Sequence, residues 1–327
     1  MARESVNDTR KAVNLKNSIT WDGKIVNMSL GDLTNNRKAG VIAMQMSKYL
    51  PPWLGIRMAD VISSWLASNS ELPFVRGIRI NQWALNRRSI PFNQLEHSVR
   101  EVLRNLVRSF YEQFHYSAHP RELTQRIVQS AGVEELISRR TSHRGGAIVC
   151  ALHMSSFDLV YQALTIMGFQ SIGLTLPEAT DAIAWQHELR RRVGMEILPA
   201  TMSNLRQVIN RLQDGEIVVT GIDRPIAHPK LLPCFFDRPA NLPVHYVQLA
   251  LTARVPVILM APLLQEDGRY TLQYSDYITL HTHSNRRVEL QQNAEKILHI
   301  AEEFILRAPT QWTMFHPVWP DLSTDIS

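Results

Sequence analysis

Apolar and polar positions along this chain fall into two regimes that meet near Gly145. Before it, apolar residues recur every three or four positions. Leu95, Val99, Val102, Leu103, Leu106, Phe110 and Phe114 form one stripe, which predicts a helix over 93–114. Leu54, Met58, Val61, Ile62 and Trp65 form another, with Arg57, Asp60 and Ser64 on other faces. Pro51 and Pro52 separate that helix from an apolar one over 41–50. A further helix is expected over 120–140, interrupted near Gly132. Residues 1–40 are rich in Asn, Lys, Arg and Asp without periodicity and read as a polar, loosely ordered lead-in.

From Gly145 onward short apolar runs alternate with helical stretches. Strands are expected over 147–152, 171–176, 195–198, 216–221, 255–261 and 269–277. Helices are expected over 159–167, 182–193, around Leu205 to Leu212 (ended by Gly215), over 244–253 and over 285–307. That alternation predicts an α/β fold with a mostly parallel central sheet flanked by helices. The chain then divides into the lead-in (1–40), an N-terminal helical region (41–144) and an α/β core (145–327). In such sheets ligands bind beyond the carboxyl ends of the strands.

Composition changes this picture in two respects. The chain has 327 residues, 45% apolar and 20% charged, which is ordinary for a folded protein with a substantial core. Its net charge of +5 favours an anionic partner: nucleic acid, anionic lipid headgroups or a phosphate-bearing ligand. Basic residues are not interleaved with an RNA-binding signature, which argues against nucleic acid. Cys150 and Cys234 are far apart in apolar surroundings, neither a disulfide framework nor a metal motif, and point to a reducing compartment. Residues 1–20 lack the apolar centre of a signal peptide. The run 255–264 is broken by Pro256 and Pro262, whereas a membrane span needs ~20 apolar residues, so no bilayer crossing is expected.

Candidate chemistry centres on Gly145 to Asp158, GGAIVCALHMSSFD. The apolar run delivers His153 into a turn, and Asp158 follows five positions later. On one helix their side chains would stand about 140° apart, since each residue advances ~100°. They meet only if His153 lies in the loop and Asp158 in the first turn of the next helix, with Ser155 as N-cap. A histidine facing a carboxylate there is a general base; the plainer alternative is a helix-capping Asp158 and an ordinary turn residue.

Other features each carry two readings. The helices over 41–65, with Trp53, Trp65 and Trp83 and nearby Lys48, Arg57, Arg76 and Arg79, either rest on a membrane surface or pack their apolar face on the main domain. Arg139, Arg140, His143 and Arg144 are a solvated approach loop or a phosphate contact. Arg190, Arg191 and Arg192 satisfy a helix C-terminus, or one of them reaches a phosphate. In GIDRP (221–225), Asp223 and Arg224 pair with each other or act on substrate. In LPCFFDRPANLP (232–243), Phe235 and Phe236 are core or line an apolar channel. No Gly-rich phosphate loop, G-x-S-x-G, H-E-x-x-H or paired C-x-x-C is present.

The order H-x4-D, R-x3-G, G-x-D-R-P, P-x-F-F-x-R-P-A-x-L-P, L-A-L-T-A-R-V-P-V and the tail PTQWTMFHPVWP (309–320) resembles the bacterial lipid A lauroyl/myristoyl acyltransferases. It resembles more closely the phosphatidylinositol mannoside acyltransferases of the same lysophospholipid acyltransferase superfamily. The resemblance runs from about Leu50 to the C-terminus. It implies a glycerolipid acyltransferase-like fold, peripheral on the cytoplasmic side of the membrane. It implies an acyl-CoA or acyl carrier protein thioester as co-substrate, a lipid hydroxyl as acceptor, and neither metal nor other cofactor.

Carried over by position, the resemblance makes His153 the base and Asp158 its partner. Arg190, Asp223 and Arg224 fall on the family's charged positions, where they shape the site or bind a phosphate of the acyl donor or acceptor; Ser156, Phe235 and Phe236 are further candidate substrate-binding residues. Departures are Ser155, Ser156 and Phe157 where Gly-Asn-Trp is usual, Asp237 and Arg254 in place of glycines, and His245–Tyr246 in place of Gly-Pro. The oxyanion is expected to meet an arginine or the amides that open the helix after His153. A hydrolase using the same dyad on water and a non-catalytic lipid-binding protein are the rival readings.

Overall fold

The computed structural model describes residues 19–21, 24–26, 37–86, 90–138, 145–175 and 181–324. Most of the expected lead-in lies outside these residues, as do Arg139, Arg140, His143 and Arg144. Strands β1 (Ile19–Trp21) and β2 (Lys24–Val26) pair antiparallel near the start. Helices follow: α1 (Arg37–Tyr49), α2 (Pro52–Ala67), α3 (Pro73–Leu85), α4 (Phe92–Ser117), α5 (Pro120–Gln125) and α6 (Ala131–Ser138). No helix among the described residues is long and apolar enough to cross a membrane.

The α/β part contains β3 (Ala147–Ala151), α7 (Phe157–Ile166), β4 (Ile172–Thr175), α8 (Asp181–Arg192) and β5 (Glu196–Pro199). After these come α9 (Met202–Gln213), β6 (Ile217–Gly221), β7 (Cys234–Phe235), β8 (Arg238–Pro239), α10 (His245–Ala253), β9 (Val257–Leu264), β10 (Tyr270–Tyr274) and α11 (Arg286–Arg307). Six strands form one sheet in the order β10-β9-β3-β6-β4-β5; every neighbouring pair is parallel except β10–β9. The mostly parallel sheet expected from the alternation is therefore present. β3, at its middle, is buried throughout. Its side chains alternate between two cores, Ile148 and Cys150 on one face and Ala147, Val149 and Ala151 on the other. This explains why the run reads as continuously apolar.

Two helical faces differ from their sequence readings. Along α4 the apolar stripe holds for Leu95, Val99, Val102 and Leu103, but Phe110 is exposed, and Tyr111, Glu112, Gln113, His115 and Tyr116 are buried instead. The polar pair Glu112 and Gln113 is tolerated because each finds a hydrogen-bond partner, Ser156 and Asp158, at the start of α7. In α2 the apolar face does not pack inward. Its buried residues are Gly55, Ala59, Ser63 and Leu66, while Met58, Val61, Ile62 and Trp65 are exposed. The small stripe permits a close approach to α4: a Cβ on Gly55 would stand 2.2 Å from Tyr111 Cζ.

Candidate functional site

The site follows from strand register. β3 and β6 are parallel neighbours with Ala151 opposite Gly221. Two residues beyond each lie His153 and Asp223, which the adjacent strand ends carry side by side over the carboxyl edge. Asp223 is fully buried, and its two oxygens accept three hydrogen bonds. Oδ1 accepts from His153 Nδ1 at 2.6 Å; Oδ2 accepts from the His153 backbone N–H at 2.9 Å and from Trp312 Nε1 at 2.8 Å. Burial alone would raise the Asp223 carboxyl. Electrostatic attraction to the adjoining His153 ring and these hydrogen bonds outweigh it and hold the group below the usual carboxylate range.

A carboxylate on Nδ1 leaves the proton there and the lone pair on Nε2. Nε2 has no hydrogen-bond partner among the described residues, and the His153 side chain is 21% exposed. Phe157 packs edge-on against the ring, centroids 4.6 Å apart. Gly221 also lies against the ring, where a Cβ would stand 3.0 Å from Cε1. The His153 carbonyl accepts from both the N–H (2.9 Å) and the hydroxyl (3.0 Å) of Thr313. The imidazole is thus held through its ring nitrogen, its backbone and its contacts with Phe157 and Gly221.

Asp158, expected to face His153, is instead bound by Arg190 Nε at 2.7 Å and Gln113 Nε2 at 2.6 Å. The first turn of α7 carries it away from the strand edge towards α4 and α8, so it ties three helices together. Arg190, expected at a phosphate, is the cation that neutralises it. Ser155 is not the N-cap. It takes a left-handed backbone (φ +46°), its N–H donates to the Gln311 carbonyl, and its hydroxyl donates to the Gln311 side chain. The N-cap is Ser156, whose hydroxyl donates to Glu112 Oε2 at 3.0 Å and accepts from the Tyr270 hydroxyl at 2.8 Å. Ser156 is therefore consumed in a buried network rather than turned to substrate. Glu112, 1% exposed, is its hub, receiving Arg108, Arg126 and Tyr270 as well.

Arg224 is half-buried, and no described side chain pairs with it at salt-bridge distance. Burial lowers its pKa, partly offset by Asp223. Its backbone neighbour Asp223 is committed to His153, so the sequence alternative in which the two pair does not hold. Burial, helped by the Arg224 charge and the nearness of His153, pushes His316 down to about 4, and it is neutral at ordinary pH. Phe235 is fully buried, stacked on Trp319 at 5.6 Å and edge-on to Trp312 at 6.1 Å; it is part of the core. Phe236 is half-buried beside it, in a left-handed turn.

Several of the positioning residues carry no signal in their local sequence. Gln113 and Glu112 look like ordinary polar positions on a helix, and Gly221 like a strand-ending glycine. Trp312 and Thr313 carry one indirectly, because the tail block that holds them is among those on which the family resemblance rests. Among curated proteins none matches the chain by sequence. The model of the bacterial lipid A biosynthesis acyltransferases does match, over residues 89–320, which takes in His153, Asp158, Arg190, Asp223 and the tail through Trp319. With that match covering well over half its length, the chain belongs to the bacterial lipid A biosynthesis acyltransferase family and is an acyltransferase acting on lipid.

Proposed function

We propose that this protein moves a fatty acyl group from an acyl-CoA or acyl carrier protein thioester to a hydroxyl of a membrane glycolipid or lysophospholipid. It does so from a peripheral position on an anionic, cytoplasmic membrane face. His153 is the general base and Asp223, rather than Asp158, orients it. The observation that carries this reading is the 2.6 Å contact between His153 Nδ1 and Asp223, which leaves Nε2 free at a partly open surface.

The reaction runs as follows. Nε2 takes the proton of the acceptor hydroxyl as its oxygen attacks the thioester carbonyl, giving a tetrahedral oxyanion and an imidazolium. Asp223 stabilises that imidazolium through Nδ1–H. Arg224, a cation beside the dyad with no salt-bridge partner among the described residues, supports the oxyanion or a substrate phosphate. The intermediate collapses by breaking the C–S bond. The thiolate, whose conjugate acid has a pKa of ~8.5, leaves readily and recovers a proton from the imidazolium or from water.

The test uses purified protein, lauroyl-CoA and a total bacterial lipid extract, with products read by mass spectrometry. Acylated lipid and free CoA are expected in equal amounts, and His153→Ala should cut transfer at least about a thousandfold while leaving thermal unfolding nearly unchanged. Free laurate without acylated lipid would make the protein a hydrolase. No consumption of thioester, or substantial transfer by the variant, would overturn the reading.

A further inference from the structure

Helix α2 is built inside out for a helix on a soluble surface. Its contact with α4 uses the small residues Gly55, Ala59 and Ser63, one per turn, while Trp53 (61% exposed), Val61 (71%) and Trp65 project outward. An ordinary amphipathic helix turns such residues to the core. Helix α1 does the same with Ile42, Met46 and Tyr49 (78% exposed). Monomers rarely leave so much apolar surface uncovered in one region.

Charge says what covers it. Residues 37–67 carry four basic residues and one acid, Asp60, and the acid is paired with Arg104. Exposed Lys48 and Arg57 stand over the rings of Tyr49 and Trp53, at 5.4 and 5.7 Å from the centroids. Aromatic rings capped by cations and rimmed by aliphatics match the boundary between anionic headgroups and acyl chains. Both helices, moreover, precede the family match at 89–320.

The same helices are fastened to the reaction centre through one short stretch of α4. The Tyr111 hydroxyl donates to the Leu50 carbonyl (2.8 Å) and His115 Nδ1 to the Ser47 carbonyl (2.8 Å), gripping the α1–α2 junction. Between them, Glu112 and Gln113 hold Ser156 and Asp158 of the turn after His153.

We infer that the outward face of α1 and α2 is a docking surface for an anionic lipid bilayer, fixed through Tyr111–His115 to the catalytic turn. This rests on the acyl-transfer reading for its purpose but not for its geometry. The test is co-sedimentation of the full chain with vesicles of mixed phosphatidylglycerol and phosphatidylcholine, and with phosphatidylcholine alone. Binding should be stronger to the anionic vesicles and weaken with salt. Trp53→Ser/Val61→Ser/Trp65→Ser should weaken it by about tenfold or more while keeping the parent's unfolding midpoint. His153→Ala should bind like the parent, so loss of catalysis and loss of docking are read separately.

Equal binding by the triple variant and the parent would overturn the inference. So would a triple variant that merely dissociates a dimer of the parent, or vesicle binding that appears only once residues 1–36 are removed. Vesicle binding through this face with no acyl transfer in any format would sink the catalytic reading and leave this one standing.

Discussion

Replacing Asp223 by Asn separates the two carboxylates that could serve His153. Asp223 Oδ2 accepts two fixed donors, the His153 backbone N–H and Trp312 Nε1, while Oδ1 accepts Nδ1–H. An asparagine has one acceptor oxygen. It goes to the position facing the two fixed donors, since leaving both buried N–H groups unpaired costs about 1–3 kcal/mol each. The amide NH2 then faces Nδ1, which has to become an acceptor. The proton moves to Nε2, and the atom meant to take the acceptor's proton already holds one. A tautomer reversal of this kind lowers turnover by about 10⁴ in serine-protease triads, where geometry is retained, equivalent to about 5.5 kcal/mol of barrier.

The expected outcome for Asp223→Asn is a fall of about 10³–10⁴ in lauroyl transfer, with stability lowered by no more than a few kcal/mol. Asp158→Asn behaves differently. It strips the counter-charge from Arg190, whose side chain is only 15% exposed, and should destabilise the fold by about 3–5 kcal/mol. Initial rates measured beside urea unfolding for both variants decide the matter. If Asp223→Asn keeps its rate within about tenfold while Asp158→Asn loses it at unchanged stability, the assignment of Asp223 to His153 is refuted.

Two further outcomes follow from single contacts. Gly221→Ala pushes a methyl to within 3.0 Å of His153 Cε1, so kcat should fall at least about tenfold with KM and the urea midpoint little changed; a wild-type kcat would mean the ring has room to move. His245 is driven to about 4 by burial, so the folded chain refuses a proton that the unfolded chain accepts from about pH 6.5 downward. Nothing is lost above that pH, and this one group removes about 2–3 kcal/mol of stability by pH 4.5. His316 and His187, also held at about 4, add slope of their own over the same range. His245→Asn should therefore make that part of the urea-unfolding profile shallower by the His245 share, and an unchanged slope would contradict it.

How far the site was legible turns on what spacing encodes. Strand and helix alternation gave the sheet because periodicity is local, and β3, β6 and β9 stand close to their expected limits. His153 was found because a buried strand ending in a polar turn is also a local pattern. The α2 apolar stripe was found too, but periodicity says only that residues share a face, not whether the face turns inward. That was decided by Gly55, whose missing Cβ lets the Tyr111 ring close on the opposite side.

The partner of His153 was the least legible part, for a definite physical reason. Five residues of chain separate His153 from Asp158, and a sequence offers that pairing first. Once Ser155 takes its left-handed turn and α7 begins at Phe157, however, Asp158 points to α4 and α8. Seventy residues separate His153 from Asp223, yet a parallel ladder between β3 and β6 removes that distance, setting Ala151 against Gly221 and the His153 and Asp223 side chains at equal overhang. Strand adjacency is a non-local choice settled by which helices fit each face of the sheet, and single-chain periodicity does not carry it. The H-x4-D spacing here is therefore a packing signature. Its histidine is presented by β3, its aspartate clamps the helix that follows, and the acid that holds the imidazole comes from the neighbouring strand.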